Sequence, residues 1–218
     1  MPLDLNHKLH CEMMKGQLEM VRLLLNQGVD INHRNEHGNT PLHHAAEEGN
    51  EALIHLLLEQ GADVHAVNNS GETVLWKAAH NHKMALIPLL LQAGAEPSFA
   101  DAALLGDVEA GRKWIQAGAD INSPIWSGVI PLKIACDYGH LDYVKMLIQA
   151  GVDIPELYPS LLHSAVFSGS FALLELLLGE RDWDQVSLFM ALTAAIYCSR
   201  RTKRPVYFFM EGYSRRQT

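Results

Sequence analysis

The chain has 218 residues, 48% of them apolar and 19% charged, with a formal net charge of -8. That is enough apolar material for a sizeable core, and an acidic surface repels nucleic-acid phosphates, so DNA or RNA is not an expected partner. Three widely separated cysteines, Cys11, Cys136 and Cys198, lack CxxC spacing, and no run approaches the length of a membrane span or a secretory signal; reduced thiols and no membrane insertion are expected.

In chain order, glycines mark a period. Gly28, Gly61 and Gly94 are 33 apart, as are Gly118 and Gly151, and Gly38 and Gly71 share that spacing. A second series, Gly16, Gly49, His82, Gly106, Gly139 and Gly169, lies 12 residues upstream of the first wherever both exist. Two landmarks at one fixed offset identify an internal repeat, and each unit reads as two short helices. Leu9-His10 with Gly16 and Gly28 make an N-terminal partial unit. Next come an Ala-rich helix from Pro41 to Glu48 and a Leu-rich one from Glu51 to Gln60, with a stripe at Leu53, Leu56 and Leu57. The third unit carries Pro88 inside its second helix, where a missing donor bends or restarts it. The fourth, between Gly94 and Gly118, spans 24 residues instead of 33 and lacks the turn-forming finger before its first helix. Residues 95–98 should therefore run directly into a helix, whereas Asn68 to Thr73 and Pro124 to Ile130 should project as turns. Leu56, Leu57, Leu89, Leu90, Met146, Leu147, Leu176 and Leu177 are the expected core.

Thr40-Pro41-Leu42-His43-His44-Ala45-Ala46, followed by Gly49, Leu56-Leu57-Leu58 and Gly61-Ala62-Asp63, resembles an ankyrin repeat. Weaker copies are Thr73 to Ala79, Ile130 to Ala135 and Ser160 to Ala165, so the resemblance covers roughly residues 8–182. It implies an all-α solenoid of stacked helix-turn-helix units. Residues 1–182 would hold about six units, the first partial and the fourth without its finger. Residues 183–218 would form a degenerate helical cap with a basic end, in which six basic residues and one acidic follow Ser199. His10, His43 and His163 stand at the His of the signature, where the resemblance implies hydrogen bonds to backbone of a neighbouring unit.

Catalysis finds no support. No GxSxG, GxxxxGKS/T, HExxH or GxGxxG string occurs. Cys136 sits at a small, buried inner-helix position, and Glu47-Glu48 read as a solvated pair. His33, His37, His44, His65, His80 and His82 are scattered, without a recognised zinc spacing. No cofactor and no metal are expected. Leu24 with Asp30-Ile31-Asn32, and Trp114 with Asp120-Ile121-Asn122, resemble the pattern recognised by an asparaginyl hydroxylase, but the same Asn is also an ordinary turn residue of the repeat.

The resemblance implies a non-enzymatic scaffold, monomeric, that holds another protein in its concave face through finger tips and the two residues after each Ala-Ala pair. Those pairs are Met14-Lys15, Glu47-Glu48, His80-Asn81, Leu104-Leu105, Asp137-Tyr138 and Phe167-Ser168. The fingers add Arg34, Glu36, His37 and Asn39, then Val67, Asn69, Ser70 and Glu72, then Trp126, Ser127 and Val129. The protein-binding candidates are Leu104, Leu105, Trp126, Val129, Tyr138 and Phe167 as apolar anchors, and Glu36, Glu47, Glu48 and Glu72 as an acidic steering group. A neighbouring segment covering Leu104 and Leu105 is the competing expectation. The alternative function is a targeting or accessory module, with Arg200-Arg201-Thr202-Lys203-Arg204 directing nuclear import or association with anionic membrane. The expected location is intracellular and cytoplasmic, with the nucleus or export into a host cell left open.

Overall fold

A single pair of short helices has more apolar surface than the pair can cover, so a core closes only when pairs stack. The computed structural model describes residues 5–125, 128–154 and 159–180. Within them the helices follow one another in six pairs: α1 (Leu5–Met14) and α2 (Leu18–Asn26), α3 (Pro41–Glu48) and α4 (Glu51–Glu59), α5 (Val74–His80) and α6 (Ile87–Gln92), α7 (Phe99–Leu105) and α8 (Val108–Gln116), α9 (Pro131–Asp137) and α10 (Leu141–Gln149), α11 (Pro159–Phe167) and α12 (Phe171–Glu180). The expected cap at 183–218 lies outside the described residues.

The chain divides into two units. In the first, Met1–Leu105 with Pro124–Gly128, the first helices form a row, α1 on α3, α3 on α5 and α5 on α7, while α2 packs on α4. In the second, Gly106–Ser123 with Val129–Thr218, α8 and α12 pack on α10, and α11 packs on both α9 and α12. The first repeat has both of its helices, α1 and α2. Its first helix carries no Thr-Pro start, which is why sequence pattern registers only its middle.

Local signals account for the elements. Thr40 caps α3 in a reciprocal box with His43, and Pro41 occupies the first turn, where its missing N–H is not needed. The helix ends at Gly49, whose φ of 80° favours a residue without a Cβ. His82 takes the same role in the third repeat at φ 59°, held by His82 N–H to Ala79 O at 3.0 Å and Lys83 N–H to Ala78 O at 2.8 Å. Pro88 restarts the second helix as expected: a 3-10 turn at Met84–Leu86 precedes α6, and Pro88 falls in the first turn of α6.

Ala45, Ala46, Ala78, Ala79, Ala102 and Ala103 are buried, which lets the first helices approach closely. Leu56, Leu57, Leu90, Met146, Leu147 and Leu177 join the core as expected. Leu89 and Leu176 are half-exposed instead. Each precedes the buried leucine by one residue, about 100° around the helix, and so sits at the edge of the stripe.

Neighbouring repeats are also tied by hydrogen bonds. The His43 Nδ1 accepts from Thr40 N–H at 3.2 Å and Thr40 Oγ1–H at 2.8 Å, which leaves Nε2–H to donate to the Glu72 carbonyl of the next repeat at 3.2 Å. Asn68 Nδ2–H donates to Asn39 Oδ1 at 2.8 Å, Asn69 N–H to the His37 carbonyl at 3.0 Å, and Asp63 N–H to Asn32 Oδ1 at 2.8 Å. Asn122 and Asp153 repeat that last tie in the second unit, where Asp153 N–H donates to Asn122 Oδ1 at 2.8 Å. The Asn68–Thr73 finger closes as a turn through Asn68 N–H to Glu72 O at 3.0 Å.

Where the fourth finger is missing, residues 95–98 lead straight into α7, as the shortened spacing predicts. Ser98 N–H and Ser98 Oγ–H donate to Asp101 Oδ2 at 2.8 and 2.7 Å, and Asp101 N–H donates back to Ser98 Oγ at 3.1 Å. The other Asp101 oxygen accepts from Thr73 Oγ1–H at 2.8 Å. One buried carboxylate thus caps α7 and ties it to the third repeat; burial pushes its pKa up and the Ser98 and Thr73 donors oppose that.

Three outcomes check this account. Leu57→Ala removes a fully buried side chain and should cost about 2–5 kcal/mol in urea denaturation. Gly111→Ala should destabilise by about 1–3 kcal/mol despite alanine's better helix propensity, because its Cβ would lie 2.6 Å from Tyr143 Cε2 and 2.7 Å from Met146 Cε; a gain in stability would contradict the packing. His43 is pushed down from 6.5 to about 4 by burial, then by Lys77 and Arg34, against the backbone bond to Glu72. The unfolded chain therefore takes up the proton first. Stability is fully present above about pH 6.5 and falls toward pH 4, by roughly 1 kcal/mol per pH unit for each such histidine. A denaturation midpoint unchanged or raised between pH 7 and pH 5 would contradict a neutral buried His43.

Candidate protein-binding face

The last residues of the first helices stand just beyond the buried alanines. Met14, Lys15, Glu48, His80, Asp137 and Phe167 are exposed, and Glu47, Asn81, Leu105, Tyr138 and Ser168 are half-buried. Leu104 departs from expectation: it is 2% exposed and cannot present its side chain to a partner in this structure. Leu105 beside it is half-buried. Both belong to the first unit, whereas Val129, Tyr138 and Phe167 belong to the second. Trp126 and Ser127 lie outside the described residues, as does the basic segment Arg200-Arg201-Thr202-Lys203-Arg204.

In the second unit α9 and α11 lie side by side and bring Tyr138 and Phe167 to corresponding positions. Phe167 is 55% exposed, with its ring against His163 at a centroid distance of 4.3 Å. Tyr138 stacks on His140, centroids 6.3 Å apart and planes within 8°. Val129 is half-buried at the base of its finger. His163 is exposed and its ring packs on Phe167; the following unit, whose backbone it is expected to bond, lies outside the described residues. On the same helices Lys133 Nζ pairs with Asp137 Oδ2 at 2.7 Å.

In the first unit the acidic candidates divide into two kinds. Glu36 and Glu48 are exposed. Glu72 is paired with Lys77 at 2.9 Å and accepts from Asn68 Nδ2–H at 2.7 Å; burial raises its pKa, and the Lys77 and Asn68 bonds with the Lys77 and His80 charges bring the net shift down. Glu47 lies 4.0 Å from the same Lys77 and 3.8 Å from His44 Nδ1. Lys77, which the sequence pattern does not single out, lies against two of the four acidic candidates. Of the finger residues, Arg34 bonds the Val67 carbonyl, and Asn39 is buried by its bond to Asn68 rather than offered at the tip.

The remaining chemistry is plain. Burial pushes the Cys136 thiol up to about 12, with Asp137 adding to it and Lys133 opposing, so it is a poor nucleophile. Among the described residues no group of three or more His, Cys, Asp or Glu is placed to hold a metal ion, and no helix is long and apolar enough to cross a membrane.

Comparison with known proteins agrees with this geometry. The family model described as ankyrin repeats, in 3 copies, matches residues 9–101 and 99–188. No curated protein sequence matches the chain. Among solved structures, the crystal structure of the human ASB11 ankyrin repeat domain is 26% identical with a TM-score of 0.50, covering 81% of this chain and 87% of that one. In all, 465 chains of known structure match, so the fold alone does not select a partner. With the repeat period, the paired helices and a family match running from residue 9 to residue 188, the chain belongs to the ankyrin repeat family, whose repeats generally mediate protein–protein interaction.

Proposed function

We propose that this chain is a non-enzymatic scaffold that binds a protein partner through the ends of its first helices and through its fingers. The observation that supports this reading is a division along each first helix. The alanines face the core in repeat after repeat, while the next two positions, mostly in contact with solvent, differ chemically every time: Glu47-Glu48, His80-Asn81, Asp137-Tyr138, Phe167-Ser168. A core of small apolar residues needs no such variety beside it, whereas recognition does.

In the second unit Tyr138 and Phe167 are the anchors. Each ring already rests on a histidine, so less freedom is lost on binding, and a few aromatic side chains usually dominate an interface. In the first unit Glu36 and Glu48 are the carboxylates that attract a basic segment, an effect on association rate more than on affinity. The basic segment at Arg200–Arg204 is proposed as a separable targeting element in a chain otherwise at work in the cytoplasm, and its deletion should leave partner binding intact.

The test uses a partner captured from the native cell, purified and titrated against the isolated chain. Tyr138→Ala with Phe167→Ala, folded by circular dichroism and melting temperature, should weaken binding by roughly 30-fold or more. Glu36→Lys with Glu48→Lys should slow association and flatten its salt dependence while dissociation stays the same. Unchanged affinity in the aromatic variant would rule out those anchors.

A further inference from the structure

His10, His33 and His44 meet where α1 docks on α3. The His10 ring lies 5.4 Å from that of His33 and 5.2 Å from that of His44, edge-on to both. Its Nε2–H is committed to His33, whose carbonyl oxygen is at 3.1 Å and whose Nδ1 is at 3.2 Å. A carbonyl oxygen can only accept, so His10 carries its proton on Nε2. The other nitrogen, Nδ1, is buried with no hydrogen-bond partner, on a residue that is 6% exposed.

His44 is constrained from the opposite side. The Asn35 Oδ1 accepts from His37 N–H at 3.0 Å and Asn39 N–H at 2.9 Å, which turns Asn35 Nδ2–H toward His44 Nε2 at 3.1 Å. The His44 Nε2 is therefore an acceptor. A second proton on either ring has nowhere to go: on His10 it would be buried without an acceptor, and on His44 it would confront the Asn35 amide. Charging both would also place two cations on rings in contact.

The surroundings reinforce this. His7 and His33 face His10; His37, His43 and Lys77 face His44, and Arg34 faces His43. Glu47, 3.8 Å from His44 Nδ1, favours a charge there, but it is half-exposed and lies 4.0 Å from Lys77. We propose that the docking of the first repeat on the second is an acid-sensitive joint, closed while His10 and His44 are neutral and opened by their protonation. Burial lowers both from 6.5 to about 4, with the neighbouring histidines and, for His44, Lys77 adding to it and, for His10, the backbone bond to His33 opposing. Opening frees them to take up protons below about pH 6.5, so acid favours the open form. Undocking would release α1 and α2 while the later repeats keep their own neighbours.

The test is hydrogen exchange of the full chain between pH 7 and pH 5.5, converted to opening constants after correction for intrinsic exchange. From pH 6.5 to pH 5.5 the constants for α1 and α2 should rise roughly fivefold per histidine protonated on opening, and those for α10 should not follow. His10→Gln keeps a donor for the His33 carbonyl and cannot titrate; with His44→Gln it should flatten the dependence. Should the double variant fail to fold, ring carbon shifts of the wild-type histidines decide instead, since His10 and His44 should stay neutral at pH 5.5. A flat pH profile in the wild type, loss of protection by all repeats in step, an undiminished profile in the glutamine variant, or His10 and His44 titrating near 6.5 would each overturn the proposal.

Discussion

No helix pair in this chain can bury both of its faces alone, and the rest of the structure follows from that constraint. The neighbour must supply a second apolar surface, and it must also satisfy backbone groups that the loops between helices leave open. The ties that do so run about one repeat along the chain: His43 to the Glu72 carbonyl, Asn69 N–H to the His37 carbonyl, Asn32 to Asp63, Asn122 to Asp153. Stability in such an array is carried by successive interfaces. Where a finger has been lost, Asp101 and Thr73 make the tie instead.

The repeat was legible because glycines and caps are local signals. A left-handed backbone after each first helix asks for glycine, and the one exception among the described residues, His82, stands in register and adopts the same φ region. Pro88 announced a restart that the 3-10 turn before α6 supplies. The missing fourth finger was readable from spacing alone.

What spacing does not carry is the identity of whatever lies over a side chain. Leu104 occupies a position that this family exposes, yet it is buried. Asn39 falls at a finger tip by its spacing but is drawn inward by Asn68, and Lys77 sits between Glu47 and Glu72. Asp101 gave no warning at all: a buried carboxylate with three donors around it depends on Thr73, 28 positions earlier. Asn32 shows the reverse case. Its turn role was expected, and its Oδ1 holds the backbone of Asp63.

A stack bound together at its core and loops leaves the ends of its first helices free to differ, and that freedom is what a binding scaffold uses. The most direct measurement is the hydrogen-exchange or side-chain labelling footprint of the chain with its purified partner. Protection concentrated at Glu47, Glu48, His80, Tyr138 and Phe167, with the outer faces of α2, α4, α10 and α12 unchanged, is the predicted result. Protection confined to those second helices, with the ends of the first helices unaffected, would contradict the account.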